Sequence, residues 1–141
     1  MNNQDKESKA HISYFKNFIK SIEDFIKISP KYKGTIYRGI ALKPAHCKVY
    51  LEINNDYNMW GMSSWSTSLK QAEEYAQKNK NKEKTKCLIF IMEDCKTGTN
   101  VRHLSKAPVD EKEILVSGYT NFITTRIEQK GDFTYIYVKE I

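Results

Sequence analysis

Apolar residues recur at helical steps early in the chain: Ile12, Phe15, Ile19, Ile22 and Ile26 stand three and four apart, and Phe18 and Phe25 widen the stripe. One face of an amphipathic helix over about Lys9 to Ile28 gathers them, with the polar residues 1–8 expected to be disordered ahead of it. Ser29-Pro30 ends the helix, because the residue before a proline is pushed out of helical dihedrals. The period then changes to two. In a strand over Gly34 to Ile40, Ile36, Arg38 and Ile40 share one face and Thr35, Tyr37 and Gly39 the other. Residues 43–62 match no single template, although Val49, Leu51 and Ile53 alternate as a strand does and Asn54-Asn55-Asp56 has turn chemistry.

Farther on, Ser68-Leu69-Lys70-Gln71 has the form of a capping box, and Leu69, Ala72, Tyr75 and Ala76 make the apolar face of a short helix reaching about Asn79. The dense run Cys87 to Met92 predicts a buried strand, closed by a turn at Lys96-Thr97-Gly98. Four more strands are expected around Asn100 to Leu104, Glu111 to Ser117, Asn121 to Glu128 and Phe133 to Val138, the last two joined at Lys130-Gly131-Asp132. Helix first and strands later predict an α+β domain, with helices beside a mainly antiparallel sheet.

Composition sets the bounds. With 141 residues, 40% of them apolar and 12% aromatic, the chain suffices for one domain over residues 1–141, since a chain of this size buries roughly 68 to 70% of its unfolded surface. No run approaches the roughly 18 to 20 apolar residues of a membrane-spanning helix, and MNNQDKESK has no signal-peptide core. A soluble, monomeric chain is expected, either cytoplasmic or delivered into a host cytoplasm. Cys47, Cys87 and Cys95 show no CxxC spacing and are odd in number, so free thiols in a reducing compartment are expected. Cys87 and Cys95 cannot bridge along a straight strand, because eight residues span roughly 26 Å.

A formal charge of +6 and a pI near 9.1 favour encounter with acidic partners without specifying one. The densest stretch, Lys78 to Lys86, fits a solvated loop better than a nucleic-acid patch. His11, His46 and His103 lack metal-ligand spacing, so no metal is expected. Trp60 and Trp65, with Met59 and Met62, are expected in the core. The six glycines never form GxGxxG or GxxxxGK, which excludes the common phosphate loops.

The chemistry concentrates at three places. Glu111 and Glu113, two apart on an expected strand, project from one face about 6.5 Å from each other. Paired carboxylates suit a reaction at a sugar carbon, where one stabilises an oxocarbenium-like transition state and the other handles protons; the same pair also fits a solvated strand edge. Arg38, on an otherwise apolar strand face, calls for an anionic ligand or a structural ion pair. Ser68 is explained by capping, whereas Ser66 is not.

TIYRGI around Arg38, WSTSLKQAEEYA around Ser66 and GTNVRHLSKAPVDEKEIL ending at the glutamates occur in the order of, and resemble, the Arg-Ser-Glu class of ADP-ribosyltransferases, arginine-specific type, over about residues 34–138. The resemblance implies a split two-sheet β-sandwich behind an N-terminal helix, with NAD as substrate and no metal. It assigns Arg38 to the NAD phosphates, Ser66 to orienting the catalytic glutamate near the nicotinamide ribose, and Gly39 to close backbone approach. Glu113 becomes the catalytic glutamate, and Glu111 the residue that selects an arginine acceptor and takes its proton. The loop Ser105, Lys106, Ala107, Pro108, Val109 and Asp110 resembles the substrate-recognition loop, with Ala107-Pro108 where family members often carry an aromatic. Mono-ADP-ribosylation of arginine on a protein acceptor is the activity implied. NAD hydrolysis, transfer to a nucleic acid or small molecule, and a non-catalytic basic binding module are the alternatives.

Overall fold

The computed structural model describes residues 3–59, 62–80, 85–100 and 113–141, with side chains from Phe15 onward. The elements run α1 (Asn3–Ile28), β1 (Gly34–Leu42), α2 (Pro44–Cys47), a 3₁₀ turn (Lys48–Leu51), β2 (Asp56–Asn58), β3 (Ser63–Ser66), α3 (Leu69–Lys78), β4 (Lys86–Cys95), β5 (Thr99–Asn100), β6 (Glu113–Val116), β7 (Asn121–Lys130) and β8 (Phe133–Glu140). One eight-stranded sheet has the order β2-β7-β8-β4-β1-β3-β6-β5. Its pairs are antiparallel except β4 with β8. The architecture is thus α+β, but the hydrogen bonding is continuous where two sheets were expected.

That continuity is thin at one place. β1 and β3 share a single registered pair, Tyr37 with Ser66. Trp65 on β3 nevertheless stacks on Phe122 of β7 with ring centroids 5.8 Å apart. Four strand spacings separate those strands, roughly 19 Å in a flat sheet, so the sheet must fold back on itself. The apolar core that drives this closure comprises Ile36, Trp65, Leu88, Phe90, Met92, Ile114, Val116, Phe122, Ile136 and Val138.

A second cluster joins α3 to the other face through Ala72, Ala76, Cys87, Ile89 and Ile91. β4 is therefore covered on both faces, which is why its sequence is a solid apolar run and not an alternation. At Gly39 α3 comes close to β1: a Cβ there would lie 1.8 Å from the Ala72 carbonyl oxygen. The absence of a side chain serves helix–strand packing, a structural demand that the sequence reading had not identified. Gly39→Ala should lower stability by about 1–3 kcal/mol, because a backbone atom cannot yield as a flexible side chain would. Chemical denaturation measures this, and an unchanged midpoint would contradict the packing.

Three further differences from the sequence reading have local causes. The helix α1 starts at Asn3, where residues 1–8 were expected to be disordered; Gln4, Lys6 and Glu7 are good helix formers that extend an existing helix. Val49 and Leu51 lie in or at the end of a 3₁₀ turn and not in a strand. That turn is tied down by Thr124 Oγ1, which donates to the Tyr50 carbonyl at 3.0 Å. The apolar stripe of α1 is only partly used: Ile26 is buried, whereas Phe15 and Phe18 are 62% and 54% exposed.

Cys47, Cys87 and Cys95 are buried free thiols, and burial pushes each of their pKa values up. They are poor nucleophiles as a result. Trp65 is a core residue as expected; Trp60 lies outside the described residues. Among the described residues, no helix is long and apolar enough to cross a membrane.

Candidate active site

The weak seam between β1 and β3 opens a cleft of about 560 Å³, lined by residues of β1, β3, α3 and β6, among them Arg38, Gly39, Ser64, Ser66, Gln71 and Glu113. Four sequence candidates, Arg38, Gly39, Ser66 and Glu113, therefore meet in one place. Glu111 and the loop Ser105 to Asp110 lie outside the described residues.

Arg38 reaches the cleft from β1, opposite Phe90 of β4 in register. Burial is the largest influence on its guanidinium and pulls its pKa down, with Tyr50 and Tyr75 pushing back. Arginine stays cationic through such a shift. Among the described residues, none of the ion pairs includes Arg38. A largely desolvated cation without a carboxylate partner is costly for the fold and suited to an anionic ligand.

The strand β3 sorts its serines by alternation. Ser63 and Trp65 point into the core, where the indole Nε1 donates to Ser63 Oγ at 2.8 Å. Ser64 and Ser66 point into the cleft. Antiparallel pairing with β6 sets Ser66 opposite Glu113, yet the hydroxyl that engages the carboxylate is that of Ser64, which donates to Glu113 Oε1 at 2.8 Å. The Glu113 side chain crosses diagonally to the residue two positions along, a normal reach on a sheet face.

Ser66 has a different job. Its Oγ donates to Gln71 Oε1 at 2.8 Å and accepts from the Ser68 amide at 3.0 Å. Ser68 caps α3 as expected, its Oγ accepting from the Gln71 amide at 3.3 Å. The capping box is thus expanded: Gln71 reaches the Ser66 hydroxyl where the usual arrangement reaches the cap amide. The Ser66 hydroxyl proton is thus engaged by Gln71 Oε1, and among the described residues it is Ser64 whose hydroxyl meets Glu113.

Sequence reasoning missed Ser64, Gln71 and Tyr75 as cleft residues. Alternation around Trp65 signals Ser64, and the third position of the capping box signals Gln71. Tyr75 was read as an apolar helix position, but it is 60% exposed at the cleft. A larger groove of about 1030 Å³ runs along α1. Two of its carboxylates are engaged by neighbouring backbone and hydroxyl groups: Glu23 accepts from Ser117 Oγ and the Gly118 amide, and Glu140 from the Lys96 amide and Thr97 Oγ1. Among the described residues, no cluster could hold a metal ion.

Neither a protein-family model nor a curated protein sequence matches the chain. Solved structures do. The chain is 26% identical to the Vis toxin, an ADP-ribosyltransferase from Vibrio splendidus, covering 89% of this chain and 56% of that one with a TM-score of 0.73. A complex of Vis with agmatine gives 26% identity, the same 89% of this chain, 57% of that one and a TM-score of 0.74. The Salmonella SpvB ATR domain, at 18% identity and a TM-score of 0.66 over 97% of this chain and 75% of that one, shares the fold. This chain spans little more than half the length of the Vis chains. Its fold is that of bacterial ADP-ribosyltransferases.

Proposed function

We propose that the chain is a mono-ADP-ribosyltransferase that consumes NAD, transfers ADP-ribose to arginine side chains of a protein acceptor and releases nicotinamide. The observation that carries this reading is the convergence, in one cleft, of a half-buried arginine without a carboxylate partner among the described residues and a glutamate held by a serine hydroxyl. The cleft, at about 560 Å³, lies in the range of small-molecule sites. Arg38 suits the phosphates of the dinucleotide, since a guanidinium grips phosphate bidentately.

The chemistry then follows from charge. The bond between the ribose carbon and the nicotinamide nitrogen breaks with its electron pair on nicotinamide, which leaves neutral. Positive charge develops on the sugar, and the Glu113 carboxylate opposes it. A guanidinium nitrogen of the acceptor forms the new bond and loses a proton. Glu111 receives that proton in this reading, which the protonated state of free arginine makes necessary. The 105–110 segment selects the protein acceptor, and delivery into a host cell is the context that the likeness to the Vis toxin supports.

The acceptor class rests on Glu111 and on the likeness to Vis, a protein captured with agmatine, itself a guanidine. The test is nicotinamide release from NAD by the purified chain, with and without agmatine, followed by mass spectrometry of the product. Release that rises with agmatine, together with ADP-ribosylagmatine, is the expected result. Release unaffected by agmatine would make water the acceptor and the chain an NAD glycohydrolase. No release from a folded chain would overturn the catalytic reading.

A further inference from the structure

We infer that Ser64 is the positioning residue for the Glu113 carboxylate, a task the Arg-Ser-Glu pattern would give to Ser66. The inference rests on the reading of Glu113 as the group that faces the sugar. A count of hydroxyl protons carries it. Each serine has one to donate. Ser66 gives its proton to Gln71 Oε1. Ser63 faces the core and takes the Trp65 indole. Ser64 alone of the β3 serines donates to Glu113, at 2.8 Å.

The contact matters because glutamate has three side-chain torsions to order, and a free carboxylate on a cleft wall samples many orientations. A charge-assisted hydrogen bond to Oε1 fixes the carboxylate plane. Oε2 is then the oxygen that no described group engages. Gln71 contributes indirectly, since its Oε1 accepts the Ser66 proton, which keeps the two cleft hydroxyls from competing for the same carboxylate. Ser64 sits on an exposed strand position, so its substitution leaves the core untouched.

The experiment compares wild type, Ser64→Ala and Ser64→Thr in nicotinamide release, with crystal structures of the free proteins. Ser64→Ala should lower kcat by about tenfold, the worth of one hydrogen bond to a charged group. KM for NAD should stay within about twofold, since the lost contact is not to the ground-state ligand. The thermal midpoint should not move. Ser64→Thr, which restores a hydroxyl and suits a strand, should recover most of kcat. In the crystal, Glu113 should be single in wild type and multiple in Ser64→Ala. Full kcat in Ser64→Ala, or a Thr variant as slow as Ala, would overturn the inference. A wild type that releases no nicotinamide ends the catalytic reading on separate grounds; the crystal structures then decide, and a Glu113 turned away from Ser64 overturns the contact itself.

Discussion

Replacing Glu113 with glutamine should cut nicotinamide release by about a thousandfold while leaving the fold intact. The side chain keeps its size and its acceptor oxygen for Ser64, so the 2.8 Å contact survives and only the charge is lost. At about 4 Å from a developing cation, with the effective dielectric of a protein surface, one charge is worth about 4 kcal/mol. Each 1.36 kcal/mol is a factor of ten in rate, which gives roughly 10³. Glu113 belongs to the short strand β6, whose buried members are Ile114 and Val116, so the apolar anchoring of that strand is unaffected. Quantified nicotinamide, read beside the thermal midpoint, separates the outcomes. A variant that loses activity and stability together would point to a structural glutamate, and one that keeps its activity would place the chemistry elsewhere.

Much of the fold and part of the site were legible in the sequence, for reasons that differ between residues. The run from Cys87 to Met92 announced a strand covered on both faces because only such a strand affords no polar positions. Arg38 stood out because a cation among alternating apolar residues conflicts with the pattern. Ser68 was fixed by local capping chemistry, which does not depend on the rest of the chain. Ser66 was singled out and Ser64 was not, because the partners of both depend on cross-strand register with β6 and on the rotamer of Gln71, which tertiary contacts settle. Gly39 was read for what its backbone might approach in a ligand, whereas its nearest neighbour is the Ala72 carbonyl of a helix thirty residues away. The single sheet was also beyond pattern reading, since one residue pair between β1 and β3 decides whether two half-sheets count as one.

Arg38→Met should weaken NAD binding by about a hundredfold and leave stability equal to or greater than that of wild type. The two halves of this expectation have one cause. An arginine that closes a buried structural ion pair costs roughly 3–5 kcal/mol to remove, because its partner is left charged and alone. No ion pair among the described residues involves Arg38, and burial pulls its pKa down, with no carboxylate among the influences that hold it up. Removing it from the free protein therefore relieves a desolvated charge, and methionine supplies a flexible apolar side chain of similar length to fill the space. With a dinucleotide bound, the sign reverses, since hydrogen bonds to charged groups contribute about 1.5–3 kcal/mol and a factor of ten is 1.36 kcal/mol. Trp65 stands on β3 between the cleft residues Ser64 and Ser66, so its fluorescence can report the affinity while chemical denaturation reports the stability. Loss of binding with stability kept is the signature of a residue held in place for its ligand; a destabilised variant would make Arg38 part of the scaffold and return the question of what grips the phosphates to the rest of the cleft.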